Sequence, residues 1–397
     1  MKETMSLKKP RVLIITSGLY FDVNSPQVIG RFTDLSDGLE GDVLVVDSRN
    51  FDEIPVIGGF RFNIIRLPMW LRNTPVLRNP VYWLFCLYRF FYEQLFGKKY
   101  DVIWVSDPFN NGVIACLMKF MSGVPVFLEV IGNLEVSMSV NRVNATLFER
   151  LKSRYSRYVA PKVLNYVDSV RLVYPHQVDF LKLERTPGKY HHYPGYVPIA
   201  RLLDPSMKKR VSENNKKYIL LLGGPWFLKG VDLLLSAFSR IAEDYPRIDL
   251  KIIGYEEHPE NFYPLANPKG RVEFNSDGVE YIEAMELIQN AEIFVLASRT
   301  EAYARVLTES MALKTPIVAS AVDGVPTYIS QEFNGLLFQS EDVDSLESRI
   351  RQLLDSSELR ESLVDNGYEY AKNNISEKNY VVNISNSLAV AVEQSRM

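Results

Sequence analysis

Long apolar runs are missing from this chain. No uninterrupted apolar stretch reaches the roughly 18 residues that a transmembrane helix needs. The opening Met1 to Pro10 leads only into the short run Val12 to Ile15, which argues against a cleaved signal peptide. Cysteine is scarce as well: Cys86 and Cys116 cannot build a disulfide framework, and both stand among apolar neighbours. Such a chain suits a reducing cytosol, so a cytoplasmic location is expected. With 4 histidines and 2 cysteines, no zinc-ligand spacing occurs, and the adjacent His191-His192 reads as a loop dipeptide rather than a metal clamp.

What is present is the composition of a globular protein, 47% hydrophobic and 23% charged over 397 residues, which excludes general disorder. That length is too great for one core and calls for two or three domains. The small net charge of -3 hides an asymmetry. Residues 1–200 carry 24 Lys+Arg against 18 Asp+Glu, whereas residues 201–397 carry 21 against 30. Two units with different partners are implied.

Short apolar strands alternate with helical patterns along the chain. Arg11 to Thr16, Asp42 to Asp47, Asp101 to Ser106, Val124 to Val130 and Ser169 to Val173 read as strands, with helices at Val28 to Leu39, Asn111 to Met121 and Arg142 to Tyr166. Strands apolar on both faces belong to a parallel sheet covered on both sides. From Pro194 to Lys217 the texture turns to proline, glycine and polar residues, the best linker in the sequence. The alternation then restarts with strands at Tyr218 to Leu222, Asp249 to Ile253, Ile293 to Ala297 and Pro316 to Ser320, and ends in amphipathic helices from Asp342 to Glu393. Two α/β sheets in series are expected, residues 1–200 and 201–375, with a helix over 376–397 able to pack back onto the first.

In open α/β sheets the ligand sits beyond the carboxyl ends of the strands, so the loops that follow strands repay attention. Gly223-Gly224-Pro-Trp-Phe-Leu-Lys229-Gly230 joins a strand to a helix. Its glycines admit a ligand close to the backbone, and Lys229 adds a full charge to the helix amides, an arrangement suited to phosphate; a tight turn with a solvated lysine explains it equally well. Ser298-Arg-Thr-Glu301-Ala-Tyr-Ala-Arg305-Val-Leu-Thr-Glu309 follows another strand, placing one carboxylate in the loop and the next in the helix. Ser320-Ala-Val-Asp-Gly324-Val-Pro326 makes a third turn, with Asn334-Gly335-Leu-Leu-Phe beyond it.

In this order the three loops resemble the donor half of the GT-B glycosyltransferases, in particular the large retaining family 4. The resemblance is tight over about residues 218–373 and looser before them, through Val12 to Gly18, Ser106-Asp-Pro, Gly123-Val-Pro and Tyr166-Val-Asp-Ser. It implies two Rossmann-like doubly wound domains facing across a cleft. It implies further that Lys229 neutralises the diphosphate of a nucleoside diphosphate sugar donor, that Glu301 holds hydroxyls of the transferred sugar, and that Glu309 grips the ribose diol. The amides of Ala302, Tyr303, Ala304, Arg305 and Val306 would cradle sugar and phosphate, and Gly18, Gly223 and Gly224 would border the donor. The acceptor would be a glycan or lipid-linked glycan, as in bacterial surface polysaccharide synthesis. No metal or other cofactor is expected: Asp342-Val-Asp344, the nearest thing to a metal-binding pair, opens a helix, where acidic residues are stabilising by themselves.

The chain departs from the family pattern at three places. Gly224 stands where an arginine is common, Ile131 where a histidine often follows a strand of the first domain, and Ser17-Gly18 replaces a glycine pair. Arg305 is a candidate substitute for the missing phosphate arginine. The departures keep a non-catalytic nucleotide-sugar-binding or scaffold protein open, and a sugar epimerase of the same shape beside it.

Residues Arg61 to Lys99 hold seven basic side chains and one acidic one, Glu93, interleaved with aromatics from Trp70 to Phe96. This pattern fits peripheral contact with an anionic membrane surface, or a core-facing helix with a solvated edge. Nucleic acid is a poor partner, because no second basic aromatic stripe occurs.

Overall fold

The computed structural model describes residues 9–16, 23–47, 55–66, 70, 74–135, 147–183, 186–203 and 217–396. Gly18, most of the linker and the start of the helix expected from Arg142 lie outside them. The chain divides into two units, Met1–Tyr196 with Glu377–Met397, and Val197–Ser376.

The first unit is built on eight strands: β1 (Arg11–Thr16), β2 (Glu40–Asp47), β3 (Val56–Ile57), β4 (Phe60–Arg66), β5 (Val102–Val105), β6 (Val126–Val130), β7 (Ser169–Leu172) and β8 (Tyr190–His192). Their order is β3-β4-β2-β1-β5-β6-β7-β8, parallel throughout except for the β3–β4 hairpin at the edge. Alternate residues of each apolar strand feed opposite faces. Leu13 and Ile15 pack beneath helices Pro75–Phe96, Asn110–Ser122 and Leu147–Tyr166, whereas Val12 and Ile14 pack beneath Pro26–Leu35 and Glu377–Gln394.

Strand β4 lacks the apolar texture of its neighbours because it carries Arg61 and Asn63. Both are satisfied by one buried carboxylate: Asp42 accepts from Arg61 at 2.6 Å, Asn63 at 2.8 Å, Tyr100 at 2.8 Å and Arg11 at 2.5 Å. Burial alone would raise the Asp42 pKa, but these donors hold it below the usual carboxylate value. A second buried carboxylate, Glu129, accepts from Arg171 at 2.6 Å and the Trp104 indole at 2.8 Å, with Arg31 at 3.3 Å. Tyr380 of the last helix covers this group, with the Arg31 guanidinium 5.4 Å from its ring centroid.

The second unit holds β9 (Lys217–Leu222), β10 (Ile248–Ile253), β11 (Val272–Asn275), β12 (Ile293–Leu296), β13 (Ile317–Ser320) and β14 (Leu336–Phe338). The order is β11-β10-β9-β12-β13-β14, all parallel. The chain runs outward from β9 on one side, then returns to start again at β12. The loops after β9 and β12 therefore diverge at a topological switch point, where open α/β sheets hold their ligands.

Candidate functional site

The loop after β9 is pinned by close backbone approach. Gly223 has φ +120° and donates its amide to Ile253 O at 2.8 Å. A Cβ on Gly224 would lie 1.9 Å from the carbonyl oxygen of Tyr255, so no side chain fits there. Beneath the loop, Trp226 is fully buried against Phe262 and Phe274, and its amide donates to Glu256 Oε2 at 2.7 Å. The turn closes with Lys229 N donating to Pro225 O at 3.1 Å. Gly230 at φ +68° then starts the helix Val231–Ile241, leaving Lys229 at its mouth.

Lys229 Nζ forms an ion pair with Glu301 Oε2 from the loop after β12, and both side chains are largely buried. Three side chains that the sequence did not single out hold this arrangement. Asp323, itself at φ +43°, accepts from the Glu301 amide at 2.8 Å and the Thr300 hydroxyl at 2.6 Å. Arg299 grips Asp232, in the first turn of the helix after Lys229, through two 2.8 Å bonds, and pairs with Glu341 at 2.6 Å. Its guanidinium lies 4.1 Å from the Phe227 ring centroid and its amide donates to Leu228 O at 2.9 Å, tying one loop to the other. Ser320 Oγ donates to Ser298 O at 2.6 Å, fixing the loop after β12 to the end of β13.

Ala302 to Val306 lead into the helix Arg305–Ala312. Among the amides expected to form a cradle, Ala304 donates to Tyr328 Oη at 2.9 Å and Arg305 to Tyr303 O at 3.1 Å, within the protein. Tyr328 is in turn held by Asn334, whose side-chain amide donates to Tyr328 O at 2.9 Å. The Asn334-Gly335 turn thus acts on the site through a buried tyrosine. Glu309 is 5% exposed and accepts from the Tyr281 hydroxyl at 3.3 Å. Burial lifts its pKa above the ordinary value, against the opposing pull of the Arg305 charge and the Tyr281 hydrogen bond. Arg305 is exposed beside this carboxylate.

Of the other candidates, Gly18 lies outside the described residues, and Ile131 is half exposed just beyond β6. Asp342 caps the helix Val343–Asp355 by accepting from Ser345 N at 2.9 Å, while Asp344 pairs with Arg240. Within 61–99, Arg61 and Arg89 pair with the buried Glu93, and Tyr82 and Phe90 enter the core. Leu84, Tyr88 and Leu95 remain exposed.

A family model described as glycosyl transferases group 1 matches residues 204–370. Among curated relatives, an uncharacterized glycosyltransferase of Methanocaldococcus jannaschii is 29% identical over 41% of this chain and 45% of its own length. D-inositol 3-phosphate glycosyltransferase of Corynebacterium aurimucosum is 28% identical over 71% of this chain and 70% of its own. A lipopolysaccharide core biosynthesis glycosyltransferase of Rhizobium meliloti is 28% identical over 36% and 40% respectively. The chain thus spans under half the length of the first and last of these. Among solved structures, sucrose-phosphate synthase of Thermosynechococcus elongatus covers 95% of this chain and 98% of its own, with TM-score 0.74 at 17% identity. HepE of Anabaena, in complex with UDP, covers 96% and 99% with TM-score 0.71 at 13% identity. The fold is that of the GT-B glycosyltransferases.

Proposed function

We propose that this chain, whose residues 204–370 match the glycosyl transferases group 1 model, moves a sugar from a nucleoside diphosphate sugar to a glycan or lipid-linked glycan, with retained anomeric configuration and without a metal. The observation that carries the proposal is the Lys229–Glu301 pair, formed by the two loops that diverge at the switch point. In transfer, the bond from the anomeric carbon to the phosphate oxygen breaks with its electron pair going to the diphosphate. The acceptor hydroxyl forms the new bond and gives its proton to the departing phosphate oxygen. Lys229, beside amides of the helix start, supplies fixed positive charge where the leaving group develops negative charge. Glu301 accepts from hydroxyls of the sugar, and Glu309 from the two ribose hydroxyls, since one carboxylate can take two donors.

The uridine diphosphate held by the HepE neighbour makes uridine the first base to test. The lipopolysaccharide core biosynthesis relative supports a role in bacterial surface polysaccharide synthesis. A thermal-shift panel of uridine, guanosine and adenosine diphosphate sugars tests the donor class. One family of donors is expected to raise the melting temperature, because a ligand at 100 times its dissociation constant stabilises by about 2.7 kcal/mol. Nuclear magnetic resonance of the product then reads the anomeric configuration. A panel without any shift, with no donor consumed, would reject the proposal.

A further inference from the structure

Helix Pro75–Phe96 is apolar on two opposite sides, and only one of them is buried. Tyr82, Cys86 and Phe90, four residues apart, enter the core of the first unit. Leu77, Leu84, Tyr88 and Leu95, separated by seven, four and seven residues, form a stripe on the other side, with Leu84 67% and Leu95 72% exposed. The neighbouring helices continue this surface. Asn110–Ser122 packs beside Pro75–Phe96 and presents Phe120 at 79% exposure, and Leu147–Tyr166 packs beside that helix and presents Leu151 at 56%. All three lie on the same face of the sheet, so their outward sides form one continuous layer surface.

The charge of this layer is predominantly positive. Its three helices contain eight basic residues and two acidic ones, Glu93 and Glu149; Arg89 is paired with the buried Glu93 and Lys119 with the buried Asp168, which leaves six basic residues against Glu149. Arg150, Lys152 and Arg154 of helix Leu147–Tyr166 are exposed. A second copy of the chain docking through this face would set the same cations against each other across a two-fold axis. Nucleic acid would match the charge but leave the leucines and phenylalanine in water. An anionic bilayer satisfies both, taking apolar side chains into the headgroup boundary and pairing cations with phosphates. Among the described residues no helix is long and apolar enough to cross a membrane.

We propose that this three-helix face is the surface through which the first unit lies on an anionic bilayer, with Leu84, Leu95, Phe120 and Leu151 entering the headgroup boundary and Arg150, Lys152 and Arg154 meeting lipid phosphate. The inference goes beyond the 61–99 segment, and it rests on this face alone, whether or not the donor reading holds. Sedimentation of the full chain with phosphatidylcholine vesicles, with and without phosphatidylglycerol, tests it. Binding is expected to be at least about tenfold stronger to the anionic vesicles and to weaken with added salt. The pairs Lys152→Glu with Arg154→Glu, and Leu84→Ser with Phe120→Ser, should each lower it about tenfold or more, while circular dichroism melting stays near the parent's. Equal binding to both vesicle types, or undiminished binding by both folded variants, would overturn the proposal. So would a dimer in analytical ultracentrifugation that Leu84→Ser with Phe120→Ser dissolves, since the face would then be a contact between copies.

Discussion

Lys229 and Glu301 serve as each other's counter-ion, and a donor diphosphate must exchange places with the carboxylate to reach the lysine. Glu301→Gln is therefore expected to lower transfer by about two to three orders of magnitude, the usual scale for losing a placed electrostatic contact. It should cost only on the order of 1 kcal/mol in denaturant unfolding, because one partly exposed charge loses its partner. Near-parent turnover in the folded variant would remove Glu301 from the site. Glu309 offers a test in pH. Because burial raises its folded pKa above the ordinary 4.5, the folded chain binds that proton more tightly than the unfolded one. The resulting stability is complete below the ordinary value and is lost as pH rises through the folded one. Glu309→Gln keeps an acceptor for Tyr281 without the charge, so it should gain stability over the parent as pH rises above the ordinary 4.5. A difference that does not change over that range in thermal melts would contradict the assignment. Lys229 and Glu301 stand out in the sequence because their loops follow apolar strands, and Glu309 because it lies eight positions beyond Glu301. Arg299 and Asp323 do not, because what they hold lies 67 and 22 positions away and meets them only when β9, β12 and β13 lie side by side.

Among the elements, the loop after β9 is fixed by backbone packing that no sequence pattern displays. Gly224→Ala would drive a Cβ into Tyr255 O and is expected to cost about 2–3 kcal/mol, as overpacking does. Gly123→Ala is a useful contrast. A Cβ there meets nothing within 4 Å, and its φ of +75° alone should cost about 1–2 kcal/mol. Equal losses in urea unfolding would mean that the contact with Tyr255 can relax. The strands legible beforehand were those with apolar runs. Strand β4 was missed because Arg61 and Asn63 look solvated until Asp42 is placed beside them, and β8 and β11 were missed because they are short edge strands. The last helix, expected to pack back onto the first sheet, buries Tyr380, Ile384, Leu388 and Ala391 there. Removing residues 377–397 would uncover those positions and the Glu129 charge group together. The truncated chain is expected to lose the melting transition of the first unit, and an unchanged melting profile would contradict this packing.

At the scale of the whole molecule, the unequal charge of the two halves follows the division of labour proposed for them. The first unit is basic and exposes Arg150, Lys152 and Arg154 on one helix of the proposed bilayer face. The second unit, acidic overall, keeps Lys229 at the switch point, where a donor diphosphate would concentrate negative charge. The central claim is that this position binds a nucleoside diphosphate. Calorimetric titration of uridine, guanosine and adenosine diphosphates into the parent and into Lys229→Ala addresses it directly. The account predicts that one diphosphate binds the parent, that the variant binds it at least about tenfold more weakly through loss of a charge-assisted contact, and that both proteins melt alike. A folded Lys229→Ala protein that binds the same diphosphate as tightly as the parent would contradict it.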